Sequence, residues 1–465
     1  MAPIERENVG KMNNKVDINQ LLSSISGKPE SERTLSLFDL AVLGIGAMIG
    51  TGILVLTGVV AATDAGPGVV VSFLIAALAS GLIGMCYAEL STTIPNSGSA
   101  YVYAWVTMGQ FVGFLAGWTL VGVYITTTAT VANGWTGYFQ SFLEELGVRL
   151  PHALLTNPAS GGWVNLPALV MTLLITFILS RGTSESKLLN NALVVIKIAI
   201  ILLFIIVSAK DVNPTYWHPF FPYGGSGVMS GAAAVFFTFL GFDALATSAE
   251  DAKQVQKNLP RAIIISLLVS TTLYVVVSLV MTGVVTYKDL NVSEAMATVL
   301  LLKGHTLTAQ IVSAGAILGI MAVVYAFVYA GANVTMAMSR GGLLPSAWAK
   351  LDECHQSPNR ALWINGILAA ALAGFVNLRN LALIANVGSL TVFALISLVV
   401  ILLRRQHPNL KRPFKVPFGH TLPILSILIC VLLLGNISLD AWLTYGAWLV
   451  AGVIFYFAYS RQKLM

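Results

Sequence analysis

The chain has 465 residues, 56% of them hydrophobic and only 10% charged, with a mean hydropathy of +0.81. That balance excludes a soluble globular domain, and apolar runs near the ~20 residues needed to cross a bilayer core recur throughout, so the chain reads as an all-α polytopic membrane protein. The net charge of +6 is what membrane orientation asks of basic residues and points to no nucleic-acid partner; Cys86, Cys354 and Cys430 lack metal-ligand spacing and read as packing residues.

Residues 1–34 are polar, mixed in charge and without the apolar core of a signal peptide, which predicts a retained cytoplasmic tail. Spans follow at about 35–62, 66–92, 99–140, 163–180, 187–209, 228–250, 262–286, 307–338, 361–378, 381–403, 421–436 and 440–459, twelve transmembrane helices in all, with 460–465 as a second tail. With both termini inside, 20 of the 26 Lys and Arg fall on the cytoplasmic side. Arg149, Lys210, Lys288, Lys303 and Arg379 fall outside, and the bias supports this orientation.

The first span contains Gly44-Ile45-Gly46-Ala47-Met48-Ile49-Gly50-Thr51-Gly52. Glycines weaken a helix, and backbone groups freed by an unwound turn have to line a cavity or bind something, since lipid cannot satisfy them. The other reading is a close-packing face, for which Gly46 and Gly50 have the spacing. Lys197, the remaining basic residue, lies in the fifth span at roughly 15 Å from its cytoplasmic end, too deep for its stem to reach the interface. It is a proton carrier, a permanent replacement for a bound cation, or a cation that pins unwound carbonyls. A second interruption, Phe236 to Ala244, lies five helices after the first, so spans one to five and six to ten have opposite orientations. Such a pair is the mark of an inverted-repeat transporter with its substrate near the midplane: here residues 35–209 and 228–403, with 421–459 as two further helices. Asp243 beside that break either accepts from freed amides or titrates, and Phe237 is placed to close over a site. Asp39 and Glu89, near span ends, read as cytoplasmic-side contacts.

The six histidines show no metal-binding pattern, there is no phosphate-binding glycine loop, and no enzymatic apparatus or cofactor is visible. Together, the first-span glycines, Cys86-Tyr87-Ala88-Glu89, Pro95 to Tyr101, Asn190-Asn191 ahead of Lys197, Gly241-Phe242-Asp243-Ala244, Leu259-Pro260-Arg261 and Ala337 to Pro345 resemble the amino acid–polyamine–organocation superfamily. Within it, the chain is similar to bacterial members of the cationic amino acid transporter family. The resemblance implies a LeuT-like five-plus-five inverted repeat with two extra helices and alternating access, and the expected location is the plasma membrane. It places the substrate carboxylate at the amides of Gly50, Thr51 and Gly52, and the α-ammonium at the carbonyls of Met48 and Leu240 before Gly241. Phe237 matches the aromatic gate of the family. Lys197 matches the lysine that stands in the sodium position of sodium-coupled relatives, which implies proton coupling without sodium, with Asp243 the other coupling candidate.

The chain also departs from that pattern. An aspartate and a glutamate expected after Gly117-Trp118 are Thr119 and Val123, a Thr-Ser pair facing the lysine is Met321-Ala322, and a Ser-Arg-Asp-Gly turn reads Ser339 to Gly342. A cationic substrate would then bury its charge with little to pair it. Met48, Ile49 and Val123 suit alanine or a branched, hydrophobic side chain, so the expectation is a neutral amino acid permease. An exchanger, a cationic amino acid carrier and an amino acid sensor are the alternatives. The partners expected are the substrate and membrane lipid, with the protein either a monomer or joined by a small accessory subunit.

Overall fold

The computed structural model describes residues 33, 35–95, 99–145, 147–181, 187–247, 252–352 and 357–460. Both expected tails except Arg33 and Ser460, the stretch Asn96-Ser97-Gly98, and Cys354 lie outside the described residues. Among the described residues every regular element is helical, and the one β-bridge joins Leu35 to Ala252.

The chain enters through α1, Leu37–Met48, whose start is fixed by a capping box: Ser36 Oγ accepts from the Asp39 amide at 3.3 Å, and the Asp39 carboxylate accepts from the Ser36 amide at 2.9 Å. After Met48 the backbone turns extended at Ile49. Helix resumes as a π-turn at Gly52–Leu56, then α2 at Thr57–Val60 and another π-turn at Ala61–Ala65. Next come α3 (Val69–Thr93), α4 (Ser99–Met108), α5 (Gln110–Glu145), α6 (Leu166–Ser180) and α7 (Lys187–Ser208). The second half runs through α8 (Gly224–Val235), a 3₁₀ turn at Phe236–Phe239, α9 (Phe242–Thr247), α10 (Val255–Val284), α11 (Ala295–Leu302) and α12 (Thr306–Arg340). It closes with α13 (Asn359–Phe375), α14 (Leu378–Gln406), α15 (Thr421–Leu434) and α16 (Leu439–Phe455).

Seven helical runs among the described residues are long and apolar enough to cross a membrane, which makes this a multi-pass membrane fold. Four apolar helices are shorter, and two of these, Leu37–Met48 and Gly224–Phe239, are the segments that stop at the two interruptions. The sequence differs from the structure at the third expected span. Instead of one helix over 99–140, the chain breaks at Gly109, where φ is +92°, a backbone region that glycine enters without penalty.

Packing places the interrupted segments at the centre. Helix α12 packs along α5, α14 along α5 as well, and α10 against α1 and α3. Two first-span glycines do serve close packing: a Cβ on Gly44 would meet Ser266 of α10 at 2.9 Å, and one on Gly46 would meet Val194 of α7 at 2.5 Å. Gly50 and Gly52 serve the break. Behind α9, Phe242 and Phe393 lie 5.2 Å apart with Tyr87 edge-on to Phe393 at 5.5 Å, a buried aromatic wedge that fixes where the helix restarts.

Candidate functional site

The two interruptions meet. Gly241 holds φ at +126°, and a Cβ there would stand 2.8 Å from the Ala47 Cβ. Only glycine combines that torsion with that approach. Around the contact lies a cavity of about 10 Å³, roughly the room one water needs. The first break supplies Ala47, Met48, Gly50, Thr51 and Gly52, and the second supplies Phe237, Thr238 and Leu240. Thr127 and Val131 of α5 and Val323 and Phe327 of α12 complete the wall, so among the described residues no charged side chain lines it.

Broken helices leave backbone groups without intrahelical partners. After the first break the new helix begins with the Leu54 amide donating to the Gly50 carbonyl at 3.2 Å. The amides of Gly50, Thr51 and Gly52 therefore precede its hydrogen-bonded part, at the positive end of its dipole. On the other side, the Met48 carbonyl accepts from the Tyr274 hydroxyl of α10 at 2.8 Å, and the same hydroxyl lies 2.7 Å from the Thr238 carbonyl. Tyr274 thus bridges both breaks. Lys197 donates to the Gly46 carbonyl at 3.0 Å, one turn from the break, with its stem packed on Gly319 of α12. The carboxylate of Asp243 accepts from the Gly241 amide and from the Tyr124 hydroxyl, each at 3.0 Å. Asn386 of α14 donates to the carbonyls of Ala233 and Ala234 at 2.8 and 3.1 Å, where α8 ends. Each of these side chains is buried, so each bond is made away from bulk water and an unmade one would carry the full desolvation penalty.

Of the residues singled out by sequence, Met48, Gly50, Thr51, Gly52, Phe237 and Leu240 line the cavity. Gly241 underlies it as the contact between breaks, while Lys197 and Asp243 brace the breaks from behind. Ile49 is fully buried but outside the lining. Thr119 and Val123 lie elsewhere. Thr119 shares a hydrogen bond with Tyr445 of α16 at 3.3 Å, and Val123 packs on Gly388 of α14. They belong to a seam in which the Trp118 and Trp448 rings stack at 4.7 Å and each indole N–H bonds the other residue's carbonyl, at 2.8 and 3.0 Å. The reason is axial: the cavity meets α5 at Thr127, eight residues or about 12 Å beyond Thr119. Substitution of acids at those two positions therefore does not itself set the cavity's charge.

Sequence reasoning did not single out Tyr274, Tyr124, Asn386, Thr127, Val131, Val323 or Phe327. An asparagine in an apolar span, and a lone tyrosine amid valines and leucines, are the signals that point to Asn386 and Tyr274.

Comparison with known proteins gives concordant results. The family model described as amino acid permease matches residues 35–458. The chain is 48% identical over 445 residues to the methylthioribose transporter of Bacillus subtilis (strain 168), covering 95% of this chain and 96% of that one. It is 43% identical over 458 residues to the branched-chain amino acid permease BcaP of the same organism, covering 97% and 98%. The vacuolar cationic amino acid transporter 4 of Arabidopsis thaliana is 33% identical over 392 residues, covering 82% of this chain and 65% of that one.

Proposed function

Since the chain belongs to the amino acid permease family, we propose that it is a secondary carrier that takes up neutral L-amino acids, alanine or branched and other hydrophobic ones. The single observation that carries this reading is the cavity lining: helix-end amides and carbonyls with aliphatic and aromatic side chains and, among the described residues, no charged group. Such a site has polar ends for a zwitterion's carboxylate and ammonium and an apolar wall for its side chain. The 43% identical relative named a branched-chain amino acid permease supports the same class.

The carrier works by alternating access in the plasma membrane, with twelve spans, a LeuT-like pair of inverted repeats and both termini cytoplasmic. Transport is coupled to protons and needs no sodium. Lys197 is the proposed coupling group, because its ammonium holds a carbonyl of the broken span and its release on deprotonation would loosen that span. A cavity with room for about one water has to widen to admit substrate, so opening of the breaks is part of the cycle.

A second reading is favoured by the 48% identical relative, named a methylthioribose transporter. A methylthio sugar is also neutral, and its thioether suits an aromatic and aliphatic wall. Thermal stabilisation of the purified protein by each amino acid and by methylthioribose separates the two, since a ligand that binds only the folded state raises its stability. Stabilisation by valine, leucine, isoleucine, methionine or alanine, followed by accumulation in proteoliposomes under a proton gradient, is expected. Response to methylthioribose alone selects the second reading, and response to lysine or arginine alone overturns the neutral assignment. Lys197→Ala should abolish gradient-driven accumulation while counterflow persists; wild-type accumulation in that variant would remove Lys197 from coupling.

A further inference from the structure

Away from the central cavity, α3 and α10 line a groove of about 360 Å³, within the size range of small-molecule sites. Gly81 thins the α3 wall, Gly84 lets α10 close on α3 at Ile263 and Leu267, Ile264 and Leu268 form the α10 wall, and Pro260 and Phe414 bound one end. A Cβ on Gly81 would meet nothing within 4 Å, so the space beside it is open. The groove also makes no polar demand: the hydroxyl of Thr271, its one side-chain polar group, already donates to the Leu267 carbonyl at 2.7 Å. Its occupant is therefore hydrocarbon.

The end bounded by Pro260 and Phe414 has a different character. Each is followed by a basic residue, Arg261 and Lys415, both exposed and neither in an ion pair with a described residue. The acid that closes α3, Glu89, is already committed: it accepts from Arg404 Nε at 2.8 Å and from the Val416 amide at 2.7 Å. Positive charge at this mouth is thus left for an external anion. On the orientation proposed above, which this inference rests on, the mouth lies at the cytoplasmic interface, where lipid headgroups sit.

We propose that this groove is a binding site for an anionic phospholipid, one acyl chain lying beside Gly81 and along Ile264 and Leu268 and the phosphate held by Arg261 and Lys415. A lipid seated there packs α10 against α3 one turn before Tyr274, the residue that bridges the two breaks. Lipid occupancy is in this way linked to the rigidity of the substrate site.

The test is native mass spectrometry of the full-length protein with added dioleoylphosphatidylglycerol or dioleoylphosphatidylcholine at equal concentration. The wild type should retain phosphatidylglycerol several-fold better than phosphatidylcholine. Gly81→Leu, which fills the open space, should lose that retained lipid. The surface variant Arg261→Gln with Lys415→Gln, which leaves every packed residue in place, should retain the two lipids equally. Undiminished phosphatidylglycerol retention in Gly81→Leu, or an unchanged preference in the double variant, overturns the proposal. So does cross-linking of a Gly81→Cys variant to a second copy of the chain, which would make the groove a protein interface. Because no substrate enters the measurement, its outcome is independent of what the carrier transports.

Discussion

Arg379, at the start of α14, places its guanidinium 2.7 Å from the buried carboxylate of Asp64, in the π-turn that follows α2. Ser230 of α8 donates to the same Asp64 oxygen at 2.8 Å. One carboxylate thereby ties the π-turn after the first break and α8, which leads into the second, to α14; on the orientation proposed above this is the exterior side, where outward opening would part them. The guanidinium is 44% exposed, so the pair is worth only about 1 kcal/mol. Arg379→Gln should nonetheless speed substrate exchange in proteoliposomes. Added salt should speed exchange by wild type and leave the variant unaffected, because screening acts on the pair alone. An equal salt response in both would refute a gating role for Asp64.

Tyr274 is the one donor shared between the Met48 and Thr238 carbonyls. Tyr274→Phe keeps the ring, which packs on Phe73 and Phe239, and deletes only the hydroxyl. Thermal unfolding should show a loss of about 1–3 kcal/mol, the penalty for leaving a buried polar group unsatisfied. Transport should fall by more than that loss of folded protein explains. If unfolding is unchanged, the bridge carries no weight.

The glycines of the first break should differ in their tolerance of alanine. At Gly52 a Cβ would press on Thr238 at 2.6–2.8 Å, backbone included, whereas at Gly50 the nearest atom is a movable Val323 methyl at 3.0 Å. Gly52→Ala should abolish transport and Gly50→Ala should only reduce it. Thr51→Val removes a 3.2 Å bond to the Val131 carbonyl but leaves its own amide in place, so it should be the mildest of the three. Initial uptake rates at matched expression give the ranking, and a more active Gly52→Ala than Gly50→Ala would contradict it.

A pH effect is expected from Glu294, in the turn before α11. Burial against α5 raises its carboxyl above the ordinary 4.5, and the charge on nearby Glu144 adds to the rise. The unfolded chain ionises first as pH climbs past 4.5, so this group's contribution to stability declines from there until the folded carboxyl ionises as well. Glu294→Gln should remove the decline. Relative to wild type, the variant should gain stability between acidic and neutral pH in detergent melts. A difference that stays constant across that range would show that Glu294 is not perturbed.

The sequence made both breaks legible because glycine clusters and buried charge are chemically costly in a span, and cost marks position. Lys197 and Asp243 were found the same way, and the structure puts both on backbone groups beside the breaks. Tyr274 and Asn386 were harder to see. Tyrosine and asparagine carry no charge, and their role depends on which helices α10 and α14 pack against, a tertiary fact. Thr119 and Val123 show the limit of reading along one helix: family spacing fixed the residues, but the depth at which the cavity crosses α5 depends on where the partner helices break. The Gly109 kink was hidden within an apolar run, since a glycine in such a run reads equally as packing.

The reciprocal tryptophan seam between α5 and α16 bears on how the chain is assembled. Trp118 lies over Gly452 and Trp448 over Gly122, so each ring fills a notch left by the other helix. Helix α16 follows α5 in the chain, so until it is made the notch at Gly122 and the indole of Trp118 lack these partners. Closure of the seam therefore fills, from α16, a notch on α5 that a chain truncated before α16 would leave without its partner ring.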